Sequence, residues 1–446
     1  MKDFTKGNLA KQLLVFTIPV LLGSLFQQLY SIADAIVVGK FISGGALAAV
    51  GSSIAVVNFI NGSLLGLTTG ASIVISHHYG AGEEQKLNRT LSTSMIFLII
   101  VSTVLSVLGY ILTPTLLRML STPVEIFEIA VIYQRITLIG IVFPALFNMY
   151  SSYMRALGDS KHPLYIMIAS SILNILLDYI FVAFLGWGVT GVAVATIISQ
   201  ATAILMCVVI IRKSTPILKI EKFVFDKEIF PLILRNSVPA AIQMSTTSLI
   251  SLSITRLVNS FGELAAAGYS AATRLDNFAL LPLDSMSMTL STFVGQNIGA
   301  GYEDRAKKGR HLTLIFMLST AIIVSSILLL FGNQVLKFFV NNNEVGASEI
   351  VRYGWEYISV IGMFYLLHAV FFSFNGFFRG VGDAFIVMVL TISSLSIRAL
   401  FSYILSSHFV SGPSAIGWAI PIGWALCSLF AWYYYKKNIW KNKRQT

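Results

Sequence analysis

The chain has 446 residues, of which 56% are hydrophobic and 11% charged, with a formal net charge of +11 and a mean hydropathy of +0.78. Soluble domains carry roughly 25% charged residues, so this composition excludes a soluble globular protein. The basic excess is spread over short connections with no aromatic-interleaved groove or reader motif, which argues against nucleic acid as a partner.

Apolar runs long enough to cross ~30 Å of hydrocarbon recur along the whole length. The opening "MKDFTKGNLAKQ" is charged, but the run after it continues past Pro19 to about Val38 without a small-residue cleavage site, so the first helix is expected to stay. Twelve spans are expected, at 10–38, 46–76, 90–112, 126–150, 163–184, 189–212, 230–258, 264–294, 311–331, 349–375, 384–407 and 415–435. The termini, the even-numbered connections and the span ends adjoining them hold 23 Lys and Arg, whereas the opposite loops hold only Lys40, Arg118 and Lys337. The positive-inside rule then puts both termini in the cytoplasm. Cys207 and Cys427 stand alone in apolar segments as small core residues, and His77 and His78, adjacent and on different sides of a helix, are a poor metal pair. No phosphate cradle or HExxH occurs, so the chain is read as a non-enzyme without a cofactor.

The two halves echo one another. "SHHYGAGEEQKLNR" (Ser76–Arg89) matches "GQNIGAGYEDRAKKGR" (Gly295–Arg310), and "MRALGD" (Met154–Asp159) matches "FRGVGD" (Phe378–Asp383). Pro19 pairs with Pro239, and "GALAAVG" ending at Gly51 pairs with "GELAAAG" ending at Gly268. All four matches keep one order at offsets of 217 to 224 residues. Duplication of a six-helix unit explains this, giving an all-α integral membrane protein of two six-helix lobes related by a pseudo-two-fold axis along the membrane normal. The expected lobes are 1–214 and 230–446, with 215–229 as the linker. Two such bundles favour a transporter that rocks about a central cavity over a channel, for which no filter or charge ring is present.

With "VGQNIGAGYEDRAKK" (Val294–Lys308), its first-half echo and the paired "RALGD" and "RGVGD" loops, the chain resembles the multidrug and toxic compound extrusion (MATE) family over its whole length. The resemblance implies a monomeric antiporter that expels bulky, hydrophobic or cationic compounds in exchange for Na⁺ or H⁺. The first helix is similar to the DinF-like branch, whose members carry an aspartate there, an Asn-x-x-x-Asp pair in the fifth helix and a threonine in the sixth. Here those positions are Asp34, Asn174, Asp178 and Thr196, with Gln27 and Tyr30 also matched. NorM-like members resemble the chain around "GFFRG" but carry a coupling aspartate eight residues before its first glycine, where this chain has His368. That departure places coupling in the first lobe alone and leaves His368 structural or substrate-facing.

The residues support this reading directly. Gln27, Tyr30 and Asp34 fall on one stripe of the first helix, and Asn174 and Asp178 share a face of the fifth. At 1.5 Å per residue Asp34 lies ~34 Å from Lys11, and Asp178 ~26 Å from Lys161, so a single cluster in the outer half of the membrane is possible. A carboxylate alone in hydrocarbon costs ~2.5–3.5 kcal/mol on insertion scales, which favours a partner or a cavity. Two together titrate in coupled steps, and with the Asn174 amide and Thr196 hydroxyl the same oxygens suit Na⁺. The bland alternative is interhelical glue at ~0.6 kcal/mol per contact. Pro19 is read as a hinge responding to Asp34, or as a static kink. In the second lobe, Asp276 and Asp284 are expected to form neutralising ion pairs with Arg256, Arg274 or Arg398, Asp284 also being a cavity candidate. The many Met and Phe can line an adaptable cavity. The alternative function is a flippase for a lipid-linked precursor, but the first two helices contain none of the Arg residues an anionic headgroup would need.

Overall fold

A computed structural model describes residues 3–42, 44–214, 224–340, 346–408 and 412–443. Within these ranges the side chains at 31, 33–35, 37–41, 44, 46, 47, 54, 55, 214, 339, 442 and 443 are not described, so the side chain of Asp34 lies outside the described residues. Every regular element among the described residues is helical: α1 (Leu9–Phe41), α2 (Gly44–Gly80), α3 (Glu84–Met119), α4 (Val124–Ile139), α5 (Val142–Ala156), α6 (Lys161–Asp178), α7 (Gly188–Ser214), α8 (Phe230–Ser260), α9 (Glu263–Gly299), α10 (Glu303–Phe339), α11 (Ala347–Met363), α12 (Tyr365–Val381), α13 (Ala384–His408) and α14 (Ser414–Lys436). A π-helical turn, Tyr179–Phe184, extends α6, and a 3₁₀ turn, Ile439–Lys443, follows α14.

Two expected spans are broken. The run 126–150 becomes α4 and α5, bent by 43°, and 349–375 becomes α11 and α12, bent by 58°. The first break has a backbone cause: Pro144 has no N–H to give the carbonyl of Gly140, where α4 ends. The second contains no proline; instead the Phe364 N–H turns to the Ile361 carbonyl at 2.9 Å, a tighter three-residue bond. With each bent pair counted as one span, ten spans pass on length and apolarity. The remaining two, α8 and α9, are 31 and 37 residues long, and their Arg, Asp and Asn residues dilute the hydropathy.

The chain forms two compact units, one of Met1–Lys6 with Val15–Ser245 and the other of Gly7–Leu14 with Thr246–Thr446. The first unit is centred on Leu64, Ile75, Leu91, Tyr153, Cys207 and Ile233. Its tightest crossing is α2 on the first half of α8. A Cβ added to Gly66 would stand 2.4 Å from the Ala241 Cα, and one on Gly70 2.3 Å from the Ser237 Cα. The Ser237 hydroxyl donates to the Leu67 carbonyl at 2.8 Å between them, so small residues let the backbones touch and polar contacts hold them. The second unit is centred on Ile254, Met317, Tyr357, Tyr365 and Ile416. Here "GFFRG" is the packing surface: Cβ atoms on Gly376 and Gly380 would each lie 2.6 Å from a backbone oxygen of α9, that of Ser287 or Ser291. Arg305 belongs to this unit and donates to the Gly7 carbonyl at 2.9 Å and to Gln12 Oε1 at 3.0 Å.

The duplicated motifs are helix ends. After α2, Gly82 takes φ +73° and the Glu83 N–H reaches back to the His78 carbonyl; after α9, Gly301 takes φ +79° and the Tyr302 N–H reaches the Asn297 carbonyl. The "GD" pairs close α5 and α12 in the same way, through Gly158 at φ +81° and Gly382 at φ +90°. In each motif the glycine supplies the left-handed residue that lets orphan carbonyls be satisfied. The aspartate then starts the next helix. Asp159 Oδ1 accepts from the Lys161 and His162 amides, and Asp383 Oδ1 accepts from the Ile386 amide while its Oδ2 accepts the Tyr434 hydroxyl at 2.6 Å. Asp383→Ala is expected to cost ~1–3 kcal/mol through the lost cap and buried hydrogen bond. Thermal unfolding of the purified variant checks this, with Tyr434→Phe giving the smaller loss.

Charged groups in the connections are neutralised locally. Glu83 bonds Lys86 at 2.9 Å and the His78 ring at 2.8 Å, and these contacts hold its carboxyl below the ordinary range. Ahead of α8, Asp226 meets Arg89 at 3.1 Å. Partial burial opposes its charge, but the Ile229 and Glu228 amides and Arg89 outweigh that and depress its pKa. The Asp226 and Val224 amides donate to Thr93 and Ser92, so this end of the expected linker is fixed to α3.

Candidate functional site

In the first unit, Asn174 and Asp178 are fully buried one turn apart on α6. Asn174 Nδ2 donates to Thr196 Oγ1 of α7 at 3.5 Å, a long bond, and Thr196 in turn donates to the Val192 carbonyl at 3.0 Å. Asp178 is the last α-helical residue before the π-helical turn, where widened backbone geometry often accompanies function. The structure therefore brings together amide, hydroxyl and acid, three of the four expected coupling residues. Asp34, the fourth, lies outside the described side chains. On the same helix, Gln27 is exposed and Tyr30 half-buried, and α1 runs unbroken through Pro19. These side chains offer oxygen and amide donors that suit a proton or a hard cation. Among the described residues no group of His, Cys, Asp and Glu forms a transition-metal site.

One residue in this unit was not foreseen. Gln134 on α4 is fully buried, and neither its amide nitrogen nor its amide oxygen has a partner among the described residues. The signal was an amide beside Arg135 within a membrane-length run, which sequence alone does not separate from an ordinary helix contact.

In the second unit the expected ion pairs are not formed. Among the described residues no Arg lies within ion-pairing distance of Asp276 or Asp284. Asp276 Oδ1 instead accepts the Tyr365 hydroxyl at 2.6 Å, a charge-assisted bond that satisfies the carboxylate. Arg398 donates to the Tyr269 hydroxyl at 3.2 Å, while Arg256 and Arg274 are exposed. The reason is positional: Tyr365 opens α12 beside the 58° break, within a run whose apolar pattern reads as one continuous span. Asp284 is exposed on α9. His368 is buried, its ring 4.0 Å from Phe372 and 4.8 Å from Trp424 by centroid. That arrangement is one of aromatic packing. Cys207 and Cys427 are both free and buried.

The MatE family model matches residues 19–180 and 239–404, one copy in each half of the chain. The probable multidrug resistance protein YpnP of Bacillus subtilis (strain 168) is 30% identical, over 98% of this chain and 97% of its own. Among solved structures, a MOP superfamily transporter from Pyrococcus furiosus Vc1 superposes with TM-score 0.91 at 23% identity, covering 99% of this chain and 98% of that one. A MATE protein crystallised in complex with MaL6 also gives TM-score 0.91 at 23% identity, covering 99% of both chains. A duplicated family match, full-length similarity and the twelve-span, two-lobe fold agree: the chain belongs to the MATE family of multi-pass membrane transporters and is not an enzyme.

Proposed function

We propose that this protein is an antiporter of the DinF-like branch that exports bulky hydrophobic or cationic drugs and toxins by alternating access, driven by inward movement of H⁺ or Na⁺. The observation that carries the proposal is fully buried Asp178 one helical turn from fully buried Asn174, which donates to half-buried Thr196. A carboxyl fully removed from water in a membrane-spanning helix, one turn from an amide, binds a cation more readily than it serves as passive glue. In this reading Asp34 and Asp178 carry the charge, Gln27 and Tyr30 support them, and Pro19 lets α1 respond. Asp284 belongs to the substrate side in the second lobe, and His368, buried between Phe372 and Trp424, is structural. The lobes are 1–214 and 230–446, the linker is 215–229, and the protein works as a monomer in the bacterial plasma membrane with both termini cytoplasmic, a side favoured by its basic excess. The names of full-length relatives, such as the multidrug export protein MepA of Staphylococcus aureus (strain MSSA476), support drugs as the cargo.

Everted vesicles test this: a fluorescent cationic dye should accumulate when a Na⁺ or proton gradient is imposed and stop when the gradient is collapsed. Gradient-independent movement of lipid, without dye transport, would replace the antiporter with a flippase. Asn174→Ala and Thr196→Ala should each give a partial defect, because they orient the acids and carry no charge. Initial rates of dye transport should fall several-fold, against complete loss in the aspartate variants. An equally complete loss would make them direct ion ligands.

A further inference from the structure

All the exposed residues of α9, Glu263, Ser270, Arg274, Asn277, Asp284 and Met288, are spaced by sevens, fours and threes, and the gap at 281 is filled by half-buried Leu281. That spacing is one seam of a helix whose other faces are packed. A seam holding an Arg, an Asn and an Asp within a membrane span is not stable against lipid tails, so it borders a water-filled space. Neither Arg274 nor Asp284 has a hydrogen bond or ion pair among the described residues. Arg379 on α12 and Asp276 on α9 lie within electrostatic reach of Asp284 without pairing to it, and Asp276 is already held by Tyr365. The two open charges have opposite signs and stand ten residues apart, about 15 Å along the helix. Between them lie the Asn277 amide and the Leu281 side chain. The equivalent helix of the first half, α2, contains no Lys, Arg, Asp or Glu at all.

We infer that the open seam of α9 is the charge-reading surface for substrate, and that it takes a zwitterionic amphiphile whose cationic group pairs with Asp284, whose anionic group pairs with Arg274, and whose apolar body lies along Leu281. This deepens the transport reading given above and rests on it. Each end supplies one charge-assisted contact, and the span between them selects for charge separation, which a simple cation cannot exploit. Charge recognition then belongs to the second repeat alone, because the first offers only uncharged positions at the matching helix.

Equilibrium binding of radiolabelled 12-aminododecanoate to the full-length protein in nanodiscs tests this, with dodecylammonium and dodecanoate as single-charge controls and no ion gradient present. The zwitterion should bind about tenfold more tightly than either control, and Asp284→Asn or Arg274→Gln should each remove that advantage. The double exchange Arg274→Asp with Asp284→Arg should restore it, since the ligand can bind reversed; this outcome also guards against loss through misfolding. Equal affinity for dodecylammonium and the zwitterion in the unmodified protein would overturn the inference, as would an Arg274→Gln variant that keeps the full advantage. Because binding is read without a gradient, failure here is separable from failure of ion coupling, which the vesicle assay reads.

Discussion

Asp178→Asn is expected to abolish gradient-coupled efflux while leaving expression and folding intact, and Asp34→Asn to do the same. The substitution keeps the shape of the side chain but removes the only carboxylate on α6, the group there that can take up a proton or supply a full negative charge to Na⁺. Asp178 is fully buried, so its carboxyl responds to its neighbours more than to bulk water, and two such acids near one another would load in coupled steps. Removing either leaves a site that no longer exchanges its cation across the working range. The expected loss is of coupling rather than of the protein. Membrane abundance by immunoblot and dye transport under an imposed gradient, measured on the same vesicles, separate the two. Near-normal transport in both variants would reduce the grouping to a helix contact worth ~0.6 kcal/mol.

Gly70→Ala should cause the largest loss of stability of any single methyl addition in the first unit. The new Cβ would meet the Cα of Ser237 at 2.3 Å, its nitrogen at 2.4 Å and the Asn236 carbonyl carbon at 2.5 Å. All three are backbone atoms, so no rotamer change relieves the overlap, and α2 must withdraw from α8. Withdrawal also stretches the Ser237 to Leu67 hydrogen bond and loosens the neighbouring approach at Gly66. Overpacking of this kind costs ~1–3 kcal/mol or more. A fluorescence melt of the purified variant should show a clearly lowered midpoint. Gly51→Ala is the control, since a Cβ there meets nothing within 4 Å and the helix gains propensity.

The twelve spans and the duplication were legible because apolar run length and repeated turn chemistry are written locally. Gly-Ala-Gly and Gly-Asp recur at the ends of equivalent helices, and the second glycine of each Gly-Ala-Gly and the glycine of each Gly-Asp have the positive φ that the turn requires. The break at Gly140 was also legible in principle, through Pro144. The break at Phe364 was not: no proline follows it, and Gly362 two residues earlier sits in an apolar run that reads as one continuous helix. That hidden break explains why Asp276 was assigned an arginine and instead takes Tyr365, 89 positions away in sequence. Asn174 and Thr196 were identified together and lie together, because a polar pair in two greasy neighbouring helices has few other places to go. The open seam of α9 was not legible, since which face of a helix stays unpacked depends on all its neighbours at once.

The central claim is that transport of organic substrate is coupled to cation entry through the buried acids of the first lobe. Its most direct test is dye transport by purified protein in proteoliposomes, with Na⁺ and pH gradients imposed separately, for the unmodified chain and for Asp178→Asn. The account predicts that one gradient or the other accelerates dye movement in the unmodified protein, and that the acceleration disappears in the variant. Dye movement in the unmodified protein that responds to neither gradient, or an undiminished response in the variant, would contradict it.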